Sequence, residues 1–174
     1  MLEPCTYVIF GATGNLSQKK LMPALYHLEQ AGRLPEGMRV LGVGRRDWDD
    51  EKWRKIVEDW LGPRARSGLD AEVFARFRAR LFFFQGDITD ETSYARLQTL
   101  LNGSEYPSSI AFYMSVAPAE FAVVSNGLAA VGYTAGDRPA LVAGTLPQHR
   151  VTRLSPRPAG EAELSELFRE PLQG

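Results

Sequence analysis

The run Thr6-Tyr7-Val8-Ile9-Phe10-Gly11-Ala12-Thr13-Gly14-Asn15-Leu16-Ser17-Gln18-Lys19-Lys20-Leu21 decides how the rest of the chain is read. Tyr7 to Phe10 has the length and composition of a buried strand. It runs directly into two glycines three positions apart, and helical character begins at Leu16. Gly11 can take a backbone turn closed to other residues, and Gly14 lets a ligand approach the main chain without striking a Cβ. The helix tip then offers unpaired N–H groups and a partial positive charge of about +0.5, which suits phosphate. Ser17 stands where a third glycine would fall and is small enough for close helix–strand packing. The bland alternative is a tight strand-to-helix turn with no ligand.

Outward from this stretch, apolar runs alternate with amphipathic ones up to about residue 132. Leu16 to Ala31 reads as a helix with Leu21, Leu25 and Leu28 on one face and Gly32 as its stop. Pro23 sits inside that helix and should bend it or remove a hydrogen bond, at a cost of about 3 kcal/mol if unrelieved. Val40–Val43 is a second strand. Asp49 or Asp50 caps a helix whose Trp53, Ile56, Val57, Trp60 and Leu61 share a face. Asp70 to Arg80 is a further helix with Phe74 and Phe77 inward, and Leu81–Phe84 a third strand. Asp90 caps a helix carrying Tyr94, Leu97 and Leu101, Ile110–Met114 is a fourth strand, and Phe121, Val124, Leu128 and Val131 mark one more helical face. Strands alternating with helices predict an α/β fold, a doubly wound, Rossmann-like parallel sheet.

The pattern ends after Gly132. From Ala135 to Gly160, 15 of 26 residues are Ala, Gly, Arg or Pro. Ala140–Ala143 reads as a short fifth strand, and only Glu161 to Arg169 looks helical again. The expected organisation is a dinucleotide-binding domain over 1–134 and an irregular tail over 135–174.

Composition narrows the function. With 174 residues, 24% charged residues and a net charge of -1, no block of Lys and Arg points to a nucleic acid partner. No apolar run approaches the roughly 18 residues of a membrane span. The single cysteine, Cys5, excludes an internal disulfide framework. Met1-Leu2-Glu3-Pro4 lacks the basic and apolar regions of a signal peptide, so the expected location is cytoplasmic. One Cys and two His leave no zinc set and no Cys-His or Ser-His-Asp arrangement.

The strand ends name a ligand class. An acidic residue at the end of the second strand usually holds the ribose 2′-hydroxyl of NAD, whereas arginine suits a 2′-phosphate. Here Arg45-Arg46 precede Asp47, and two guanidiniums favour NADP over NAD. A solvated charged turn is the competing reading. After the third strand, Gly86-Asp87-Ile88-Thr89-Asp90 offers backbone and a carboxylate to the adenine or its ribose, with helix capping by Asp90 equally compatible. After the fourth, Tyr113-Met114-Ser115-Val116-Ala117-Pro118 suits a loop along the nicotinamide, or a turn that starts the next helix.

These residues together resemble glucose-6-phosphate dehydrogenase. Val8-Ile9-Phe10-Gly11-Ala12-Thr13-Gly14-Asn15-Leu16 with Lys19-Lys20-Leu21-Met22-Pro23-Ala24-Leu25 looks like the family's opening, and the likeness accounts for Pro23. It continues through Leu34-Pro35-Glu36, Val40-Leu41-Gly42-Val43-Gly44-Arg45, Gly86–Asp90 and Phe112–Pro118, covering about residues 6 to 132. The resemblance implies an oxidoreductase of glucose metabolism in the pentose phosphate pathway. It implies that Gly11, Ala12, Thr13, Gly14, Asn15 and Leu16 hold the NADP pyrophosphate and Arg45 the 2′-phosphate. Lys20 lies near cofactor and substrate, and Ser115, Ala117 and Pro118 line the nicotinamide side. Arg46, Asp87 and Ile88 complete the cofactor set. Asn15 departs from the family's usual Asp and keeps its capping capacity.

A larger departure is absence. Oxidising glucose 6-phosphate at C1 requires a base for the hydroxyl proton. The family's Arg-Ile-Asp-His-Tyr-Leu-Gly-Lys segment, which carries it, does not occur here, nor does Glu-Lys-Pro-Phe-Gly. No catalytic residue is therefore assigned, glucose 6-phosphate is a partner only of a full-length relative, and the chain is expected to be an inactive fragment. The tail suggests a cause: Gly144-Thr145-Leu146-Pro147 is codon-compatible, shifted by one base, with the missing Glu-Pro-Phe core, as in an out-of-frame reading. Two alternatives stand beside this. One is a non-catalytic NADP-binding module or an unfolded pseudogene product. The other is an epimerase-like short-chain reductase, which needs a Tyr-x-x-x-Lys pair that a chain with no lysine after Lys55 lacks.

Overall fold

The structure is a computed structural model describing residues 3–64 and 68–133. Four parallel strands form its sheet: β1 (Thr6–Phe10), β2 (Arg39–Gly44), β3 (Leu81–Gln85) and β4 (Ile110–Met114), ordered β3-β2-β1-β4. The order runs outward from β1 to β3 and then reverses, so β4 lies on the other side of β1. Thr6 registers with Arg39 on one flank and Ile110 on the other. The fifth strand at Ala140–Ala143, the helix at Glu161–Arg169 and the irregular tail lie outside the described residues.

Side-chain alternation along the strands builds two cores. Ile9, Val40 and Leu81 pack with Leu25 and Tyr26 of α1 (Met22–Gln30), Trp53 and Val57 of α2 (Asp50–Leu61), and Phe74 and Phe77 of α3 (Ala71–Ala79). Val8, Phe10, Leu41, Val43 and Phe84 face the other way, against Tyr94 and Leu97 of α4 (Glu91–Leu101) and Val124 and Leu128 of α5 (Phe121–Ala130). Both faces are covered, as a doubly wound sheet requires.

The helix starts are chemically marked. Asp49 accepts from the Lys52 N–H at 2.7 Å, Asp70 from the Glu72 and Val73 N–H groups, and Asp90 from the Thr92 N–H. Each such cap is worth about 1 kcal/mol. At the end of α1, the Gly32 N–H donates to Glu29 O and the Arg33 N–H to Leu28 O, with Gly32 at φ +63°. That pairing makes the expected glycine stop a Schellman motif.

Two sequence expectations need correction. Leu28 is 38% exposed, and the buried face of α1 is Met22, Leu25, Tyr26 and Glu29. The cause is a π turn over Ser17–Leu21, which inserts an extra residue ahead of α1 and rotates every later position. Phe121 is 42% exposed, while Val124 and Leu128 reach the core. It opens α5 directly after a 3₁₀ turn (Pro118–Glu120), where β4 is the last described strand to pack on.

The sheet's two borders differ. On β3 the outward backbone groups are occupied by side chains. Asp50 accepts from the Phe83 N–H at 2.7 Å, Arg54 Nε donates to Leu81 O at 3.0 Å, and Arg96 donates to Gln85 O at 3.2 Å. On β4 the residues bonded to β1 are those in step with Ser115, whose N–H reaches Phe10 O; Ile110, Phe112 and Met114 turn their main chain outward. Among the described residues no hydrogen bond reaches those outward groups.

Candidate functional site

The glycine loop lies between the carboxyl ends of β2 and β4, at the place where strand order reverses. Gly11 takes φ +74°, and a Cβ on it would stand 2.4 Å from Ser115 O. Glycine is therefore required twice over, by dihedral and by the passage of β4's end. The Ser115 N–H donates to Phe10 O at 2.8 Å, which fixes that passage. On the opposite side, Thr13 lies so close to Gly44 that a Cβ there would be 3.0 Å from Thr13 Cγ2.

Within the loop the Ala12 N–H donates to Val43 O at 3.2 Å and the Gly14 N–H to Gly11 O at 3.0 Å. Those two amides serve the turn itself. The Ala12 side chain is wholly buried, whereas Asn15 and Leu16 are exposed at the first turn of the helix, whose N–H groups lack partners in the preceding turn. A Cβ on Gly14 would lie 3.2 Å from Gly11 O, so this glycine also relieves crowding inside the loop. Ser17 is fully buried, as its packing position predicts, and its Oγ has no hydrogen-bond partner among the described residues. Lys20 is exposed within the π turn.

Arg45, Arg46 and Asp47 are exposed beyond β2. Asp87 lies just beyond the end of the neighbouring strand β3. Its Oδ1 accepts from the Thr89 N–H at 2.9 Å and the Thr89 hydroxyl at 2.8 Å, while its own N–H donates to Ser93 Oγ. These bonds hold the Asp87 carboxyl below its ordinary range, led by the Thr89 backbone N–H, with a smaller favourable contribution from the Arg45 charge. Ile88 is anchored through its carbonyl, which accepts from the Tyr94 hydroxyl at 2.7 Å. Burial pushes that phenol up to about 12. A small hollow lined by Phe10, Val43, Phe84, Asp87, Ile88 and Tyr94 opens at these strand ends.

On the β4 side, Ser115 is half-buried with a partnerless Oγ among the described residues, and Ala117 and Pro118 are exposed. The Ala117 N–H donates to Glu120 Oε2 at 3.0 Å, locking the turn that begins at Pro118. Loop and helix start are thus compatible. His27 lies exposed on the outer side of α1 with Nδ1 3.4 Å from Gln30 Oε1, and His149 lies outside the described residues. Among the described residues no group of three or more His, Cys, Asp or Glu converges on a metal position, and no helix is long and apolar enough to cross a membrane.

The structure thus brings Gly11–Leu16, Arg45–Arg46, Asp87–Ile88 and Ser115–Pro118 to one end of one sheet. Two supporting residues escaped the sequence reading. Thr89 fixes Asp87 and Glu120 fixes Ala117; an Asp-x-Thr turn and an Ala-Pro-x-Glu start were the available signals.

A glycine loop at the reversal of strand order that leads into a helix tip is the arrangement in which α/β sheets receive a nucleotide diphosphate. Comparison with known proteins gives the same class. Residues 8–143 match the family described as "Glucose-6-phosphate dehydrogenase, NAD binding domain". The chain is similar to glucose-6-phosphate 1-dehydrogenase of Dickeya dadantii, with 34% identity over 130 residues, 75% of this chain and 26% of the relative. The corresponding protein of Mycolicibacterium smegmatis is 36% identical over 136 residues, covering 75% and 27%. Among solved structures, glucose-6-phosphate 1-dehydrogenase from Mycobacterium avium superposes with a TM-score of 0.67 at 26% identity, covering 76% of this chain and 28% of that one. A glucose-6-phosphate dehydrogenase in complex with its substrate glucose-6-phosphate gives 0.65, with the same identity and coverage. The chain spans about a quarter of the length of the curated relatives it matches.

Proposed function

The chain belongs to the glucose-6-phosphate dehydrogenase family, and from that premise we propose that it binds NADP in preference to NAD. It is the coenzyme-binding part of the oxidation of D-glucose 6-phosphate to 6-phospho-D-glucono-1,5-lactone. The observation that carries the reading is the Gly11 turn, wedged against Ser115 O at the reversal of strand order, with Arg45 and Arg46 at the end of the adjacent β2. The helix tip over Asn15 and Leu16 receives the diphosphate. Arg45 and Arg46 take the 2′-phosphate through charge-assisted bonds. Asp87 and Ile88 border the adenosine half, with Asp87 kept ionised by Thr89. Ser115, Ala117 and Pro118 border the nicotinamide, whose role when bound is to accept a hydride.

We propose that these 174 residues by themselves do not turn over glucose 6-phosphate. Hydride loss from C1 requires a base within hydrogen-bond reach of the hydroxyl. The segment that would bring the base and the sugar-phosphate ligands does not occur in the sequence. The test is calorimetric titration of the purified chain with NADP and with NAD, beside an assay for coenzyme reduction in the presence of glucose 6-phosphate. Tighter binding of NADP without reduction is the expected pair of results. Equal affinity for the two coenzymes overturns the 2′-phosphate assignment, and reduction overturns the assignment of a non-catalytic chain.

A further inference from the structure

The turn that carries Arg45 and Arg46 is held at both of its ends. On the strand side, the Gly86 N–H donates to Gly44 O at 3.0 Å, and a Cβ on Gly44 would lie 3.0 Å from Thr13 Cγ2 and 3.4 Å from Phe83 Cζ. On the helix side, the Trp48 N–H donates to Arg46 O at 3.0 Å. The Trp48 indole stacks on Trp53, with ring centroids 6.2 Å apart and an interplanar angle of 22°, and meets the Phe83 ring at 5.6 Å. Phe83 therefore borders both ends of the turn, and its own N–H is held by the Asp50 carboxylate at 2.7 Å. Asp49, the residue after Trp48, is already the cap of α2.

Core filling needs only the deeper of the two indoles. Trp53 is wholly buried and closes over Gly42, where a Cβ would stand 3.1 Å from its Cζ2. Trp48 is laid over Trp53 and stays half-buried. What this second indole fixes is the main chain just before it. Arg45, Arg46 and Asp47 are exposed, and among the described residues neither guanidinium forms a hydrogen bond or ion pair. Their placement thus follows from the main chain of the turn. The Arg45 charge is nevertheless felt at the neighbouring strand end, where it adds to the two Thr89 hydrogen bonds in holding the Asp87 carboxyl down.

From this arrangement we propose that Trp48 is a positioning residue for coenzyme choice: by anchoring the Arg45–Arg46 main chain on Trp53 and Phe83, it presets the turn that meets the 2′-phosphate of NADP. The inference rests on the NADP reading of the glycine loop and the arginines. Charge-assisted bonds to phosphate require the guanidiniums to arrive within a narrow range of positions. Each residue ordered in the free chain is one that binding does not have to order. NAD carries a hydroxyl at the same place, so it gains little from the arginines and loses little when the turn loosens. The two coenzymes share the diphosphate loop, so general damage to the fold would weaken both alike.

The experiment titrates the full chain with NADP and with NAD. It compares the unmodified protein with Trp48→Ala, Trp48→Phe, Trp60→Ala, Arg45→Ala with Arg46→Ala, and that pair combined with Trp48→Ala. Trp60 is the control: its ring lies 5.5 Å from Trp53 in the same cluster, but in the last turn of α2, at the opposite end of that helix from the arginines. Trp48→Ala should weaken NADP about tenfold and NAD less than about twofold, and Trp48→Phe should keep most of the NADP affinity. Trp60→Ala should leave the ratio of the two affinities unchanged, as should Trp48→Ala in the arginine-free background. Equal weakening of both coenzymes by Trp48→Ala, or the same change of ratio from Trp60→Ala, makes Trp48 a packing residue only and overturns the inference. Amide order parameters over Arg45–Asp47 in the unmodified free chain need no variant to fold: values matching rigid backbone, about 0.85, support it and lower ones overturn it. An unmodified chain that binds both coenzymes equally overturns the 2′-phosphate reading itself, and this inference with it.

Discussion

Replacing Gly11 with Ala tests the close passage of β4 across the glycine loop. Two costs follow from the structure. A left-handed φ of +74° is unfavourable for alanine by about 1–2 kcal/mol. The new Cβ would lie 2.4 Å from Ser115 O and 2.9 Å from Ser115 C. Ordinary carbon–oxygen contacts are about 3.3 Å or more, so the strand end must retreat by roughly 1 Å. Both atoms are main chain and are held by the bond from the Ser115 N–H to Phe10 O, so no side chain can rotate out of the way. Overpacking of this kind costs about 1–3 kcal/mol, giving about 2–5 kcal/mol in all. For a domain of this size that lowers Tm by about 8–20 °C. Gly32→Ala is the internal control: its φ is +63°, yet nothing lies within 4 Å of the added Cβ. It should lose only the dihedral share, about 1–2 kcal/mol. Thermal and urea unfolding followed by circular dichroism measure both. Equal losses in the two variants would show that the approach of Ser115 to Gly11 carries no energy.

Other substitutions probe separate parts of the reasoning. In an exposed helix Gly→Ala gains about 1 kcal/mol, but a Cβ on Gly127 would fall 2.2 Å from Tyr94 Cζ, so Gly127→Ala should destabilise, and a raised Tm would contradict the packing of α5 on α4. The Asp87 carboxyl is held below its ordinary value in the folded state, so its contribution is complete above the ordinary carboxylate range and is lost as pH falls through the lowered value. Thr89→Val removes one of the two bonds to Asp87 Oδ1 and should raise that carboxyl's titration midpoint in carbon NMR; an unmoved midpoint counts against the assigned cause. Arg45→Ala should weaken NADP by about tenfold or more and leave NAD nearly unchanged, read by competitive titration, and a parallel loss for both coenzymes would argue for general damage to the loop.

The legible parts of the fold were those in which local chemistry and packing agree. Strand, glycine loop and helix could be read at Tyr7–Leu21 because a buried run, a residue without a side chain and an amphipathic stretch each leave their own mark. Asp49, one of two candidates, and Asp90 were recoverable as caps for the same reason, whereas Asp70, read as the first residue of its helix, is its cap. Leu28 and Phe121 were not, since the 3.6-residue period assumes an uninterrupted helix and a complete surface to pack against. One added residue in the π turn moved the face of α1 to Met22, Tyr26 and Glu29. The charged member of that face escaped notice because its partners are distant in sequence: Glu29 is 5% exposed and meets Arg80 at 2.9 Å and Arg76 at 3.4 Å. The closeness of Ser115 to Gly11 was equally unreadable, as it depends on strand order and register.

The contrast between the sheet's borders gives this molecule a direction. Asp50, Arg54 and Arg96 stopper the β3 flank, so a further strand could join there only by breaking three polar contacts. The β4 flank carries no charge from Ile110 to Met114 and presents its main chain unopposed among the described residues. Enlargement of the sheet is thus one-sided, whatever supplies the incoming strand. Because the glycine loop rests on the end of β4 through Ser115, a strand added at that flank would extend the sheet beside the very strand whose end abuts the loop.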